Sequence, residues 1–336
     1  MLKKLLAFIV SCILLTGCSN TKNDVVKNLK DKINKLDSYQ IEGLLEVTNN
    51  ETTYKYDIDV AYEKGEKYKV KLKNKTNDHE QIILKNSDGV YVLTPSLNKS
   101  FKFQSEWPYN NSGSYLYQAI MNDIENDDKV DIKNTKDGYI IKTKVNYSNN
   151  KDLKSQNIYL DKNYNIKKVE VLDKDGISKI KMNYNKVKHN KNFDKDYFKL
   201  SNNIDTKEIK NESKDTKEDK KTSKTLDVAY PLYIPNNTKL TNQETVSNET
   251  GERTILTFNG DDSFTIIEEV AKKEDNNQII NVNGDLEFIT DVVGVIDDGM
   301  VSFDANGISY YAVSDTLDNE ELLEVVNSIS TIPVGK

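Results

Sequence analysis

Apolar and polar residues alternate along most of this chain, and the few places where the period changes divide it. From Tyr39 to Lys188 the period is two. In YKYDIDVAYEKGEKYKVKLKN, Tyr54, Tyr56, Ile58, Val60 and Tyr62 share one face, and Tyr68, Val70 and Leu72 share another beyond Lys64-Gly65. Successive side chains of a strand point to opposite faces, so this is a hairpin with one wet face. Turn signals recur at Ser87-Asp88-Gly89, Lys136-Asp137-Gly138 and Asp173-Lys174-Asp175-Gly176, each between alternating runs. The pattern predicts roughly nine to eleven strands, nearly all antiparallel.

Helical spacing interrupts the alternation at two points. Val25, Val26, Leu29, Ile33 and Leu36 predict an amphipathic helix from Asp24 to Leu36, with Asp24 as its N-cap and its apolar face on the domain core. In WPYNNSGSYLYQAIMNDIEND, Trp107-Pro108 opens a turn and Ser114 is the expected cap of a helix in which Tyr115, Ala119, Ile120 and Ile124 share a side. A sheet this long has to curl, and its concave face has to be filled or covered.

Residues 202–225 carry alternating charges and no aromatic residue, which predicts a disordered linker. The stretch 226–336 then reads as a smaller α+β domain. RTILTFNGDDSFTIIEEVA gives two strands and LEFITDVVGVIDDGMVSFDANGISYYAVS three or four more. Asp318 caps a last helix with Glu321 at N3, and Leu322, Val325, Val326 and Ile329 form its apolar face.

The first residues follow neither period. MLKKLLAFIVSCILLTGCSN has two lysines and then a short apolar run, the layout of a secretory signal. The run is shorter than the ~20 residues a membrane-spanning helix needs. Leu15-Thr16-Gly17-Cys18 resembles the bacterial lipobox, which implies cleavage between Gly17 and Cys18 and a diacylglycerol on the Cys18 thiol. Residues 1–17 are then a lipoprotein signal peptide and 18–24 a short tether. Two acyl chains hold a protein on a membrane stably, at ~0.8 kcal/mol per buried CH₂. The chain is therefore expected on the extracytoplasmic face of a cell membrane, anchored by lipid. Cys12 leaves with the leader and Cys18 is acylated, so no thiol remains for a disulfide, a nucleophile or a metal.

Composition narrows the chemistry. Of 336 residues 30% are charged, but 19 tyrosines and 9 phenylalanines supply a core. Losing Lys3 and Lys4 takes the formal charge from −7 to −9, and no basic stripe interleaved with aromatics is present, which argues against nucleic acid. Arg253 is the only arginine, and His79 and His189 stand alone, one before a strand and one after. Zinc spacing, a phosphate loop and a nucleophile elbow are absent from the sequence. Glu268 and Glu269 are neighbours in a strand and point to opposite faces, so they cannot work as a pair. The expectation is a protein that is not an enzyme and needs no cofactor or metal, apart from the covalent lipid.

The region from 25 to 201 resembles the LolA-like family of lipoprotein-sorting proteins. KLDSYQIEGLLEV after the first helix, the EWPYNNSGSYLYQAIMNDI insertion and IYLDKNYNIKKVEVLDKDGISKIKMNYNKV carry the resemblance. It looks most like the sporulation and germination lipoproteins of the YdcC and GerS type, and the stretch from YPLYIPNNTKL onward resembles a domain of unknown function in longer relatives. The fold implied is mainly β, a curved antiparallel half-barrel with a helical lid, followed by the α+β domain. The role implied is a binding partner of a cell-wall peptidoglycan amidase that prepares spore cortex. The alternative implied is a carrier that takes acyl lipid in its concave face. Trp107, Tyr109 and Tyr115, with Tyr54 and Ile58 on the sheet, are the candidate contacts for a partner or ligand, or else members of the core.

Overall fold

The computed structural model describes residues 22–49, 51–104, 107–109, 113–204, 226–248, 251–273 and 278–329. The leader with Gly17 and Cys18, and the stretch 205–225 of the expected linker, lie outside the described residues.

Helix α1, Lys22–Asn34, buries Val25, Leu29 and Ile33. It begins earlier than its N-cap signal suggests. Asp24 lies within the first turn, where a carboxylate faces the positive end of the helix dipole. Leu36 lies past the end, its N–H returning to the Ile33 carbonyl at 3.0 Å. Six strands then run as a meander: β1 Ser38–Asn49, β2 Thr52–Glu63, β3 Lys67–Asn74, β4 Glu80–Asn86, β5 Gly89–Thr94 and β6 Lys99–Phe103. Helix α2, Tyr117–Glu125, interrupts, and five more strands follow: β7 Asp131–Asn134, β8 Gly138–Lys144, β9 Leu153–Asp161, β10 Ile166–Asp173 and β11 Ser178–His189.

The last of these strands returns to the first. β1 pairs with β2 on one side and β11 on the other, so two meanders spread outward from it. The β1–β11 ladder carries a bulge between Glu42 and Gly43. A Cβ on Gly43 would stand 2.3 Å from the Asn183 carbonyl oxygen, a clash that only glycine avoids. In the β2–β3 hairpin Val60 faces Val70 and Tyr62 faces Tyr68, so the two apolar stripes read from the sequence form one face.

On that inner face, rings follow one another across the sheet. Tyr184–Tyr117, Tyr117–Tyr39, Tyr39–Tyr62, Tyr62–Tyr68 and Tyr68–Trp107 have centroids 6.1, 4.7, 5.0, 5.1 and 5.7 Å apart. Tyr39 also completes α2. Its hydroxyl accepts from the Tyr117 N–H at 3.3 Å and donates to Gln118 Oε1 at 2.7 Å. This corrects the expected cap. Leu116 occupies the N-cap position without a side-chain bond, and Ser114 sits two residues earlier, its carbonyl accepting from the Tyr184 hydroxyl at 2.7 Å. A hydroxyl from a neighbouring strand replaces the local one.

The opposite face carries a smaller apolar cluster, centred on β4 and β5 and reaching Ala61 of β2. There Ile82, Leu84, Tyr91 and Leu93 are covered by Phe198 and Ile204, which follow β11.

The later part of the chain forms a second sheet and also extends the first. β12 Lys239–Asn248, β13 Gly251–Asn259, β14 Phe264–Val270, β15 Gln278–Val282, β16 Asp285–Ile289, β17 Val292–Asp297, β18 Met300–Ala305 and β19 Ile308–Val313 precede helix α3, Asn319–Asn327. The second sheet has seven strands in the order β12-β13-β14-β19-β18-β17-β16. β15 departs from it and pairs in parallel with β6, from Gln278↔Lys99 to Val282↔Phe103, making the first sheet twelve-stranded. Both sheets are open and the fold is mainly β.

α3 forms as its cap predicts. Asp318 accepts from the Glu321 N–H at 2.9 Å, and Leu322, Val325 and Val326 are buried against Leu256, Phe258 and Phe303. Ile329, read as the end of this face, is past the helix and bridges to Pro231. Leu286, Val293 and Val295 of the same sheet enter the first core beside Tyr56 and Ile58.

Polar groups set into the apolar inner face of the first sheet meet this second sheet. Gln81 Nε2 donates to the Val293 carbonyl at 2.8 Å and its Oε1 accepts from the Val293 N–H at 2.6 Å. Asn74 Nδ2 donates to Asp291 Oδ2 at 3.1 Å. Lys99 and Asp304 form an ion pair at 3.0 Å whose side chains are 12% and 5% exposed, far drier than the surface pairs elsewhere.

Candidate functional site

Where the second sheet and α3 meet the first sheet, the surfaces do not close completely. They leave a cavity of about 420 Å³. Leu45 and Val47 of β1 and Ile180 of β11 form its floor, and Leu286 and Phe288 of β16 and Leu323 of α3 face them. Trp107 and Tyr115, from the insertion before α2, make one wall. The volume lies in the range of ordinary ligand pockets, ~300–1,000 Å³.

The candidate contacts separate here. Trp107 and Tyr115 line the cavity and are buried, and burial raises the Tyr115 phenol above its usual range. Ile58 is packed inside the core, and Tyr54 is half-buried on the same strand nearer Asp291. Tyr109 is 39% exposed, its hydroxyl 3.1 Å from that of Tyr68 and its ring 5.5 Å from the Lys85 ammonium. The structure therefore brings two of the five residues to one place.

The cavity also gathers residues with no sequence signal. Glu287 stands between Leu286 and Phe288 in β16, where alternation reads it as a wet-face residue. Its carboxylate is enclosed instead. Oε1 accepts from the Phe288 N–H at 3.1 Å, the Asn149 side-chain amide approaches the carboxylate, and burial pushes the carboxyl up to about 7, which these two donors only partly offset. The Tyr147 phenol, between β8 and β9, is raised by burial and further by Asp123, Tyr115 and Glu287. Asp152, Asp173, Asp175, Glu320 and Glu324 stand at the margin with Lys174 and Lys179.

The two histidines lie apart from the cavity. His189 is exposed at the end of β11, with its ring centroid 6.4 Å from that of Tyr117. His79 is not the surface residue its sequence context suggests. It is partly buried, its Nε2 lacks a partner among the described residues, and burial lowers its pKa. No group of three or more His, Cys, Asp or Glu able to hold a metal occurs among the described residues. Arg253 pairs with Glu269, its Nε donating at 2.8 Å, on the far side of β14 from Glu268.

Glu268 is wholly buried. Its Oε2 accepts from the Ala229 N–H at 3.1 Å, Oε1 has no partner among the described residues, and burial pushes the carboxyl up to about 7 from an ordinary 4.5. A raised acid binds its proton more tightly in the folded state. Its contribution is fully present below about pH 4.5 and is lost as pH rises past 7. Glu287 titrates in the same window. The midpoint of thermal unfolding is expected to fall from pH 5 to pH 8. Glu268→Gln should flatten that slope and gain about 1–3 kcal/mol at pH 8, since a tenfold change in proton affinity is worth ~1.4 kcal/mol. Parallel pH curves for wild type and variant would remove Glu268 as the source.

A profile described as Sporulation protein YdcC-like matches residues 1–198. The chain is 32% identical to the sporulation protein YdcC of Bacillus subtilis (strain 168) over 327 residues, 97% of this chain and 95% of that protein. Among solved structures, the MucA/MucB complex of Pseudomonas aeruginosa aligns at 12% identity over 91% of this chain and 97% of that one, with a TM-score of 0.33. A chain in the structure of the CwlD amidase from Clostridioides difficile in complex with the GerS lipoprotein aligns at 22% identity over 51% of this chain and 97% of that one, TM-score 0.29. The LolA superfamily protein NE2245 from Nitrosomonas europaea aligns at 12% identity over 54% of this chain and 98% of that one, TM-score 0.30.

Proposed function

The chain belongs to the sporulation protein YdcC-like family, and from that premise we propose that it is an extracytoplasmic lipoprotein of sporulating cells that binds a protein partner and catalyses nothing itself. Diacylglycerol on Cys18 tethers it to the membrane. A cell-wall amidase acting on spore peptidoglycan is the partner the motif resemblance implies.

The observation that carries this reading is the state of the inner face. Ile58, Tyr68 and Val70, which an acyl carrier would line a groove with, are packed in the core among Tyr39, Trp107, Tyr117, Leu286 and Val293 of the same chain. Over β2 and β3 this face is filled by its own rings and by the second sheet, and the opening that remains lies at the Leu45–Val47 end of β1 behind an acidic margin that does not suit an acyl chain. That favours a protein partner over a lipid carrier. No helix among the described residues is long and apolar enough to cross a membrane.

The experiment has two parts. Cys18→Ser is expected to move the protein from the membrane pellet to the soluble fraction of sporulating cells, and a variant that still pellets would sink the lipid anchor. Pull-down of the wild-type protein from the same cells should recover an envelope hydrolase. Recovery of none, together with normal spore cortex in a deletion strain, overturns the partner reading. Acyl lipid recovered in stoichiometric amount by mass spectrometry would restore the carrier reading.

A further inference from the structure

The cavity between the sheets has an apolar interior and an acidic margin whose charges are not balanced. Both lysines at its edge are already engaged, Lys174 with Asp152 at 2.9 Å and Lys179 with Asp173 at 3.7 Å. Lys151, just outside, pairs with Glu320 at 3.5 Å. Glu287 and Glu324 form no ion pair with a lysine or arginine among the described residues, and Asp175 shares Lys174 with Asp152. The carboxyl of Glu324 is raised by burial and then by Glu321, Glu320, Asp152 and Asp318, a like-charge environment. Deeper in, the Glu287 carboxylate is met by the Phe288 N–H and the Asn149 side-chain amide but by no cation among the described residues. An enclosed carboxylate without a cation, such as Glu287, is costly and favours a proton or a cation beside it, and like charges crowded at the margin favour a cation too.

The walls suit the same guest. Trp107, Tyr115 and Phe288 present aromatic surface in a cavity of about 420 Å³. Aromatic faces attract cations, and apolar walls take an aliphatic stem.

We propose that this cavity binds a cationic group on an aliphatic stem, an alkylammonium or guanidinium, with the charge held by Glu287 and the acidic margin and the stem lying against Trp107, Tyr115 and Phe288. The inference rests on the reading of the chain as a binding protein and adds where it binds and what charge it selects. The chemistry has two sources, the lysine or arginine side chain of a protein partner, or a free amine.

Trp107 is the only tryptophan and lines the cavity, so its emission reports occupancy. The full mature chain is titrated with hexylammonium, hexanol and hexanoate, with calorimetry as a second readout. Hexylammonium is expected to bind saturably, and hexanol and hexanoate at least tenfold more weakly. Glu324→Gln, at an exposed position that leaves the core intact, should weaken hexylammonium several-fold, and Glu287→Gln about tenfold. Equal binding of all three probes, no binding of hexylammonium, or unchanged affinity in both glutamine variants overturns the proposal.

A peptide Gly-Phe-Lys-Phe-Gly, compared with its norleucine counterpart, separates the sources. Binding tenfold tighter than hexylammonium assigns the site to a partner's side chain, and binding no tighter assigns it to a free amine. Hexylammonium binding by a protein that captures no partner from sporulating cells would overturn the function proposed above and leave this site standing.

Discussion

Tyr39→Ala is expected to lower the free energy of unfolding by about 3–5 kcal/mol, the usual range for deleting a large buried aromatic. Tyr39 is fully buried, stacks on Tyr62, packs at a tilt against Tyr117, and supplies the hydroxyl that accepts the first N–H of α2. Truncation removes packing from the middle of the ring series and takes the cap from a helix whose own N-cap residue offers none. Tyr39→Phe separates the two contributions. It keeps the ring and leaves the Tyr117 N–H and Gln118 Oε1 without their partner, which should cost about 1–2 kcal/mol. Denaturant unfolding followed by far-ultraviolet circular dichroism measures both. Equal losses in the two variants would mean that the hydroxyl, and not the ring, dominates at this site.

Gln81→Ala is expected to cost about 2–4 kcal/mol, although the position lies in an ordinary-looking strand. The side chain is 5% exposed and makes a reciprocal pair of hydrogen bonds with the Val293 backbone. Removing it strands a buried donor and a buried acceptor together, each worth about 1–3 kcal/mol when left unmade. The variant should also lose cooperativity. Wild-type protein should show one transition by circular dichroism and by Trp107 emission, because Leu286, Val293 and Val295 share a core with Trp107. With the seam weakened, the Trp107 signal should move before the circular dichroism signal falls, because Trp107 lies under the second sheet. A loss below about 0.5 kcal/mol, with the two signals still coincident, would show that β15 and the apolar contacts hold the sheets together without Gln81.

The strand-rich architecture was legible because alternation is a local property. In Tyr54 to Leu72 the direction of every side chain follows from its parity, and the paired stripes met as the pattern required. Asp318 was legible for the same reason, since a cap and its N–H donor lie three residues apart. Ser114 misled because the helix it precedes is capped from β1, far away in sequence. β15 was missed because QIINV is short and its partner β6 lies in the other half of the chain. A usable signal for the seam did exist. Gln81 and Lys85 occupy the same face of β4 as Ile83, and amide or ammonium groups on a core face have to meet a partner. Gln81 meets Val293, and Lys85 donates to the Trp107 carbonyl at 2.9 Å.

The cavity had no comparable signal. Glu287 stands in an alternating strand like many exposed glutamates, and its enclosure comes from groups that the chain brings together only when the second sheet docks on the first. By itself the sequence determined the leader pattern, the strand periodicity, the Asp318 cap of α3 and the scarcity of catalytic side chains, because each can be read without knowing which distant segments meet. Only the tertiary structure decided that the later part of the chain lends β15 to the first sheet, that the two sheets share a core, that the inner face is filled over β2 and β3, and that an acidic, aromatic-walled space remains between them. Those features depend on how two surfaces fit, and the fit is set by long-range register and burial, which no local pattern encodes.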